Sequence, residues 1–201
     1  MDVFSKEFLV LPVNQHLHWS LAIMCNVNAA PSALAADAET AIEIGGDSDS
    51  DAGEAKADKS TPSPVILHLN SLGHTPGNVE AVLRAGLSCE WAHRKERSLV
   101  EGTRAFGPGG PMRFKKCSVP QQPNSFDCGL FTAEFARRFC QKAPKPHLSL
   151  DPRYGWPYML TPTWFSPEEA GTRKRERIHR RILTIAGVLL PPRETVDLTL
   201  E

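Results

Sequence analysis

The stretch VPQQPNSFDCG, at residues 119–129, places a cysteine where a helix is expected to begin. Apolar residues recur at three- and four-residue spacing over residues 130–141, which is typical of an amphipathic helix. Asp127 is a residue type that favours a helix start. A thiol in the first turn of a helix feels the positive end of the helix dipole, which favours the thiolate that attacks carbonyls. The pattern therefore predicts that Cys128 is a nucleophile, and Gly129 leaves the approach to its sulfur uncrowded.

A partner base is expected from two strands near the start of the chain. Residues 11–24, LPVNQHLHWSLAIM, read as two apolar strands separated by a polar turn around Asn14 to His16. His18 stands at the start of the second strand, a rigid position for holding an imidazole beside a sulfur. A third apolar strand, VILHLNSL at residues 65–72, ends near Asn70. The side-chain oxygen of this Asn can accept the Nδ1–H of an imidazole and so fix the tautomer in which Nε2 faces the cysteine.

Together these segments resemble the ubiquitin-like-specific (SUMO-specific, or sentrin-specific) cysteine proteases. The most specific pieces are LHWSL at residues 17–21 and QPNSFDCG at residues 122–129, and the similarity runs from about Phe8 to Leu183. It is greatest for the branch that trims SUMO chains, whose members carry an insert between the His strand and the acid strand. The resemblance implies an α+β, papain-like fold with a mixed central sheet flanked by helices. It also implies cleavage after a Gly-Gly terminus, without a metal or organic cofactor.

The resemblance further implies a role for each matching residue. Cys128 would be the nucleophile and His18 the general base. Gln122 would donate its side-chain amide to the oxyanion, an interaction that contributes roughly 3–4 kcal/mol where it has been measured in another protease. Trp19 would wall a narrow channel that admits two glycines, because a flat aromatic ring packs closely on bare backbone.

Two departures from the family's pattern affect the expected activity. Asn70 stands where the family has Asp. A neutral amide orients His18 but does not stabilise its positive charge as a carboxylate would, so we expect weakened but retained catalysis. The family's domain also has further helices and strands before the segment that matches Phe8. The fold is therefore expected to be N-terminally truncated relative to the family.

Length and charge predict one split domain. The chain has 201 residues, of which 41% are hydrophobic, enough to form a core. Its formal net charge is zero, but residues 29–64 hold eight acidic and two basic side chains and no aromatic residue. We interpret 29–64 as a disordered acidic insert in a protease domain formed by residues 1–28 and 65–191. Residues 192–201 would form a C-terminal tail.

The cysteine pattern favours a reducing compartment, the nucleus or the cytoplasm. No C-x-x-C and no zinc-ligand spacing occurs, and neither a signal-peptide pattern nor a membrane-spanning apolar stretch is present. The basic stretch 94–116 lacks interleaved aromatic residues, so neither nucleic acid nor a membrane is expected as a partner. Four other cysteines are expected to be buried and inert: Cys25, Cys89, Cys117 and Cys140.

The remaining segments were assigned from their patterns. They predict a short helix at 78–85, a strand at 87–93, a Gly/Pro-rich loop at 94–116, a short strand at 117–119 and a helix at 168–188. The first of these helices would turn Val79, Val82 and Leu83 toward the core, and the last would carry Ile178, Ile182 and Ile185 on one face. Three further histidines are expected on the surface or in loops: His16, His68 and His74.

Two acidic and apolar stretches resemble SUMO-interacting motifs, IEIGGDSDSD at 42–51 and VDLTLE at 196–201. Such a peptide adds to a sheet edge with its acids facing basic residues, and phosphorylation of Ser48 would strengthen that pairing. A plain disordered linker and a frayed tail are the alternative. The leading interpretation is an isopeptidase acting on SUMO and SUMO-conjugated proteins. A SUMO-binding protein with little activity, and a protease for another Gly-Gly-ended modifier such as NEDD8, are the other candidates.

Overall fold

A computed structural model of the chain describes residues 2–30, 64–74, 77–94, 98–142 and 160–187. Most of the predicted insert at 29–64 lies outside these residues, as do both motif-like stretches at 42–51 and 196–201. The proposed split of the domain around the insert therefore stays a prediction.

A mixed sheet forms the centre of the described residues, with four strands in the order β1-β2-β3-β4. The strands are β1 (Phe8–Gln15), β2 (His18–Cys25), β3 (Val65–Leu69) and β4 (Arg113–Cys117). The first three pair antiparallel in chain order, and β4 runs parallel to β3. Most of β2 and all of β3 are buried, which explains why both read as nearly continuous apolar runs. The predicted α+β class with a mixed sheet is confirmed.

The β1–β2 hairpin places His18 at the first position of β2. Its two turn residues, His16 and Leu17, have φ angles of 51° and 62°, the left-handed region that a two-residue type I′ turn requires. Such a conformation at Leu17 stores about 1–2 kcal/mol of strain, which the flanking ladder offsets. Gln15 pairs with His18 and Asn14 with Trp19. The turn predicted around Asn14 to His16 therefore includes His16 but begins too early, because Asn14 and Gln15 are part of the ladder.

Helices cover both faces of the sheet. They are α1 (Val79–Arg94), α2 (Leu99–Phe106), α3 (Cys128–Gln141), α4 (Pro167–Ala170) and α5 (Thr172–Ile185). Alternate residues of β2 point to opposite faces, so Leu21 and Ile23 join one core cluster while Met24 joins the other. The first cluster packs against α3, and the second packs against α1 and α2.

The helix predicted to begin at Cys128 is α3, and an aromatic face anchors it on the sheet. Phe131, Phe135 and Phe139 recur at every fourth position and are almost fully buried. Phe135 stacks on Trp164 with ring centroids 6.2 Å apart and planes 7° apart, and its ring lies 5.5 Å from that of Phe165. This packing fixes the axis of α3 and hence the position of its first residue, Cys128.

The segment between β3 and β4 is more helical than the sequence patterns predicted. The short helix at 78–85 and the strand at 87–93 are one helix, α1, because Val79, Leu83 and Leu87 continue a four-residue spacing across Gly86. The predicted orientation of Val82 is wrong, since this side chain is exposed. The strand prediction was wrong because a short apolar run does not by itself distinguish a strand from a buried helix.

The predicted loop at 94–116 contains both α2 and β4. The helix begins with a capping box, in which the Ser98 hydroxyl accepts from the Glu101 N–H and the Glu101 carboxylate accepts from the Ser98 N–H. That signal was present in the sequence and was missed among the Gly and Pro residues. Strand β4 ends at Cys117, so the strand predicted at 117–119 began earlier than expected.

The predicted helix at 168–188 is two helices, α4 and α5, divided at Gly171. No described side chain of α5 is buried, and the isoleucine face at Ile178, Ile182 and Ile185 is exposed. The first turn of α5 is tied to α3 by charge. Lys174 donates to the buried Glu134 at 2.8 Å, and Arg175 donates to the buried Asp127.

The predictions for the minor histidines and cysteines were partly wrong. His68 is fully buried in β3, where its Nε2 lies 2.9 Å from the Ser20 hydroxyl. Cys25 is buried and Cys117 is partly buried, as expected, but Cys89 and Cys140 are exposed because they lie outside the apolar stripes of their helices. No helix within the described ranges has the length and apolar character needed to cross a membrane.

We predict that His68 makes the free energy of unfolding fall as the pH drops from 6.5 to about 4. Burial, and then the charges of Lys116 and His18, lower the pKa of His68 to about 4. Between these two pH values His68 is protonated in the unfolded chain but not in the native chain. The free energy of unfolding therefore falls by up to about 1.4 kcal/mol for each pH unit of acidification. Urea titrations across this range measure the slope.

The variant His68→Gln should flatten this slope, because Gln does not titrate and still offers a hydrogen bond to Ser20. The control is His16→Gln, which removes an exposed histidine and should leave the slope as in the parent chain. An equally steep slope in His68→Gln would contradict the assignment.

Candidate active site

Cys128 occupies the first position of α3, as predicted. The helix starts there because Phe131 N–H donates to the Asp127 carbonyl at 3.0 Å, which closes the first turn. The side chain of Asp127 occupies the N-cap position but accepts no hydrogen bond from the helix. Cys128 as a whole residue is 7% exposed and is therefore buried.

His18 is held by Asn70, the residue predicted to orient it. The Asn70 Oδ1 atom lies 2.8 Å from His18 Nε2 and also accepts the Leu72 N–H at 2.8 Å, while its Nδ2 donates to the His74 carbonyl. Since a backbone N–H requires an acceptor, this network assigns the oxygen side of the amide and makes His18 Nε2 the donor. The neutral ring then carries its lone pair on Nδ1.

That assignment corrects one prediction. The sequence argument placed Nδ1–H of His18 on Asn70 and left Nε2 for the cysteine, whereas the structure places Nε2 on Asn70. The roles of the two ring nitrogens are therefore exchanged relative to the prediction. His18 remains oriented by Asn70, with its free nitrogen available as a base.

Trp19 brings the histidine strand to the start of α3. A Cβ added to Gly129 would lie 3.7 Å from Trp19 Cδ1, an ordinary van der Waals separation. His18 directly precedes Trp19 and Cys128 directly precedes Gly129, so this contact brings the starts of β2 and α3 together. Trp19 remains partly exposed. Gly129 is not required by crowding, because an alanine would fit.

Gln122 is buried beside the loop that carries Asn70. Its Oε1 accepts the Ser71 hydroxyl at 2.6 Å, and its backbone N–H donates to the Ser71 carbonyl at 2.9 Å. Its Nε2 donates one hydrogen to the Asn124 carbonyl at 2.5 Å. An amide NH₂ has two hydrogens, so this bond uses one of the two.

Several supporting residues were missed by sequence reasoning. Ser71 fixes the amide of Gln122, and Gln121 Nε2 bridges the carbonyls of Asn70 and Val119 at 3.2 and 2.8 Å. His74 is exposed as expected, yet its ring stacks on His18 with centroids 6.2 Å apart. No sequence pattern joins positions about fifty residues apart. One sequence signal for such supporting contacts was the Asn-x-x-Asp spacing from Asn124 to Asp127, because Asn side chains often accept nearby backbone N–H groups.

The other partly or fully buried thiols are poor nucleophiles. Burial raises the pKa of Cys25 well above its usual range, and burial is also the main cause that raises the pKa of Cys117 to about 12. Both thiols therefore stay protonated near neutral pH. Across the described residues no group of three or more His, Cys, Asp or Glu side chains is arranged to hold a metal ion.

The arrangement suits nucleophilic attack on a carbonyl. It combines a thiol at a helix N-terminus, an imidazole whose tautomer is fixed by an amide, and a buried side-chain N–H donor. A Cys-His-Asn set works because the thiolate and the imidazolium stabilise each other, so the third residue need only orient the ring.

The chain matches one known protein family over most of its length. Residues 1–151 match the family described as "Ulp1 protease family, C-terminal catalytic domain". The chain is 30% identical over 176 residues to "Probable ubiquitin-like-specific protease 2B" of Arabidopsis thaliana, covering 87% of this chain and 16% of that protein. It is 31% identical over 177 residues to "Probable ubiquitin-like-specific protease 2A" of the same plant, covering 87% and 19%.

Two further similarities cover a smaller share of this chain. The mouse "Sentrin-specific protease 6" is 32% identical over 123 residues, covering 61% of this chain and 10% of that protein. A solved structure described as "Crystal structure of the de-sumoylating protease" covers 70% of this chain and 40% of its own, with 22% identity and a TM-score of 0.43. The chain thus spans less than a fifth of the length of either plant relative.

We predict that His18→Ala slows alkylation of Cys128 by iodoacetamide roughly tenfold at neutral pH, because the thiolate loses its imidazolium partner. Mass spectrometry of the digested protein measures each cysteine separately. Cys89 is exposed on α1 and should react at the same rate in both proteins, which makes it an internal control. An unchanged rate at Cys128 would show that the ring does not act on this thiol.

Proposed function

The chain belongs to the Ulp1 protease family, and from that premise we propose that it is a SUMO-directed cysteine isopeptidase. It would cleave after a Gly-Gly terminus and release the modifier from lysine side chains. The observation that carries this proposal is the hydrogen bond between His18 Nε2 and Asn70 Oδ1, on the edge where Trp19 meets the start of α3. It orients the imidazole of His18 and leaves Nδ1 as the nitrogen that would take the proton of Cys128.

The proposed reaction proceeds through a thioester. His18 Nδ1 takes the proton of Cys128, and the thiolate attacks the carbonyl carbon of the terminal glycine. The negative charge on the carbonyl oxygen is stabilised by the free N–H of Gln122 Nε2, an interaction of about 3–4 kcal/mol in a comparable protease site. The carbon–nitrogen bond then breaks, and the lysine amine leaves with the proton held by His18.

Hydrolysis of the thioester completes the cycle. His18, now neutral, removes a proton from water as the water attacks the thioester carbonyl. The carbon–sulfur bond breaks, the modifier leaves as a carboxylic acid, and the thiolate is restored. No step calls for a metal or an organic cofactor, and Asn70 keeps its two contacts to the ring and to the Leu72 N–H throughout.

The substrate class is supported by the surface around the thiol. Trp19 lies over Gly129, so a peptide that reaches Cys128 passes along an indole face, which favours glycine backbone over bulky side chains. The matched relatives carry names that describe ubiquitin-like-specific and sentrin-specific proteases. We place the activity in the nucleus or the cytoplasm, since its free cysteines suit a reducing compartment.

Two other functions remain open to the same experiment. Asn70 in place of a carboxylate favours a SUMO-binding protein with little turnover. The Trp19 wall selects for glycines and does not distinguish SUMO from NEDD8, which favours a protease for another Gly-Gly-ended modifier.

We predict that a SUMO probe with an electrophilic C-terminus becomes covalently attached to Cys128. A gel shift, followed by mass spectrometry of the modified peptide, identifies the residue. Cys128→Ser should abolish the adduct, while Cys140→Ser, an exposed cysteine on the same helix, should leave it unchanged. Reversible binding without an adduct would support the SUMO-binding protein, and an adduct formed only by a NEDD8 probe would change the substrate.

We predict that Asn70→Asp raises kcat for a SUMO substrate about tenfold. A carboxylate keeps the acceptors for His18 and Leu72 and adds roughly 1.4 kcal/mol of stabilisation to the imidazolium. The same change removes the donor to the His74 carbonyl and should lower the free energy of unfolding by about 1 kcal/mol. Asn28→Asp, at an exposed position, controls for the added charge. Lower stability with unchanged kcat would remove Asn70 from the catalytic set.

A further inference from the structure

An acidic residue stands directly before the proposed nucleophile. Asp127 is 3% exposed and occupies the N-cap position of α3, where an aspartate normally accepts hydrogen bonds from the first-turn N–H groups. Here its side chain makes no such bond. The hydrogen-bond partners of this carboxylate therefore lie outside the first turn of α3.

The two oxygens of Asp127 are held by other groups. Oδ1 accepts from Arg175 Nη2, and Oδ2 accepts from Asn124 Nδ2 at 2.8 Å. Asn124 in turn accepts the N–H groups of Phe126 and Asp127 through its Oδ1, at 3.1 and 3.0 Å. The turn before Cys128 is thus built around this carboxylate, with one charged partner.

That charged partner comes from a separate part of the chain. Arg175 lies in the first turn of α5, beyond the residues 1–151 that match the family. The junction of α4 and α5 approaches Asp127 so closely that a Cβ on Gly171 would lie 2.6 Å from Asp127 Oδ2. The Arg175 guanidinium also sits over the Phe126 ring, 5.3 Å from its centroid. The contacts with Asp127 and with the Phe126 ring fix the position of the Arg175 guanidinium.

The charge of Asp127 bears directly on the proposed thiolate. A negative charge one residue away disfavours a second negative charge on sulfur, and a capping carboxylate would also offset the positive end of the helix dipole. Three charged or titratable groups of the described residues enter this argument, His18 from β2, Asp127 from the turn before Cys128 and Arg175 from α5. Lys174, the other cation in the first turn of α5, pairs with Glu134 instead.

We propose that Arg175 is a positioning residue of the active site. It neutralises the buried Asp127 and holds that carboxylate off the N-terminus of α3, so that the helix dipole and His18 act on Cys128 without an opposing charge. The inference rests on the proposed role of Cys128 as the nucleophile. It goes beyond that role by making the reactivity of the thiol depend on a helix that contributes no group to the chemistry.

The test is the pH dependence of Cys128 alkylation by iodoacetamide in the full chain. Arg175→Gln should move the midpoint of the rate profile upward by about one pH unit, since the unpaired Asp127 now opposes the thiolate. Arg175→Lys should recover most of the shift because it restores the charge. The matched control is Arg173→Gln, because Arg173 lies on α5 like Arg175 but forms an exposed ion pair with Glu168 of α4. This variant should leave the midpoint unchanged.

A double variant separates charge from anchoring. Asp127→Asn combined with Arg175→Gln removes both charges, so the midpoint should return toward that of the parent chain although α5 still lacks its anchor. Far-ultraviolet circular dichroism and urea titration confirm that each variant folds.

The outcomes distinguish this inference from the proposed function. Parent Cys128 reacting no faster than the exposed Cys89 would overturn the proposed nucleophile. A reactive parent Cys128 whose midpoint is unchanged in Arg175→Gln would overturn the role of Arg175. A shifted midpoint that the double variant fails to restore would also overturn it, because α5 would then act as an anchor alone.

Discussion

The rest of the site depends on the hydrogen bonds made by the side-chain amide of Asn70. Its oxygen accepts from His18 and from a backbone N–H, its nitrogen donates to the His74 carbonyl, and its own carbonyl accepts from Gln121. Each contact has a fixed direction, so together they determine how the amide is turned and which nitrogen of the imidazole carries the proton. The antiparallel register that pairs Leu21 with Leu69 brings the loop after β3 alongside the start of β2. A slip of one residue would turn every side chain of β2 to the opposite face and separate the pair.

Features of the fold and the site that depend on neighbouring residues in the sequence were easier to predict than features that depend on contacts between distant residues. The strand before Asn70 and the start of α3 are local features, read from apolar spacing and from one motif, and they were placed correctly. The hairpin was recognised in the same way, but its turn was predicted too early in the chain. The merging of two predicted elements into α1 was missed because a short apolar run is ambiguous, and α2 was missed because Gly and Pro residues hid its capping box. The orientation of the His18 ring was wrong for a different reason, since it depends on backbone partners that only the folded loop supplies. The contacts of Ser71 and Arg175 join positions about fifty residues apart and leave no periodic signal.

The attachment of α5 follows a rule different from that of the other helices. Helix α3 is fixed by three buried phenylalanines, whereas α5 buries no described side chain and reaches two buried carboxylates with two cations. Burial alone would raise the pKa of Glu134, but hydrogen bonds from Arg137, Lys174 and Arg138 outweigh it and hold this pKa well below its usual range. Buried ion pairs add little net stability, because desolvation offsets the attraction, yet loss of one partner leaves an uncompensated charge. Such contacts therefore define where α5 sits more than how strongly it is held.

The same logic explains why an acidic residue is kept beside a thiol that it would otherwise oppose. Asp127 accepts from Asn124, and the Asn124 carbonyl accepts from the amide of Gln122, so the carboxylate belongs to the chain of hydrogen bonds that holds Gln122, the proposed oxyanion donor. An apolar residue at position 127 would remove the opposing charge but would leave Asn124 without its acceptor and the turn without its support. Keeping the carboxylate and adding a cation preserves both the geometry and the electrostatics. Because that cation must come from outside the turn, the first turn of α5 becomes part of what defines the site.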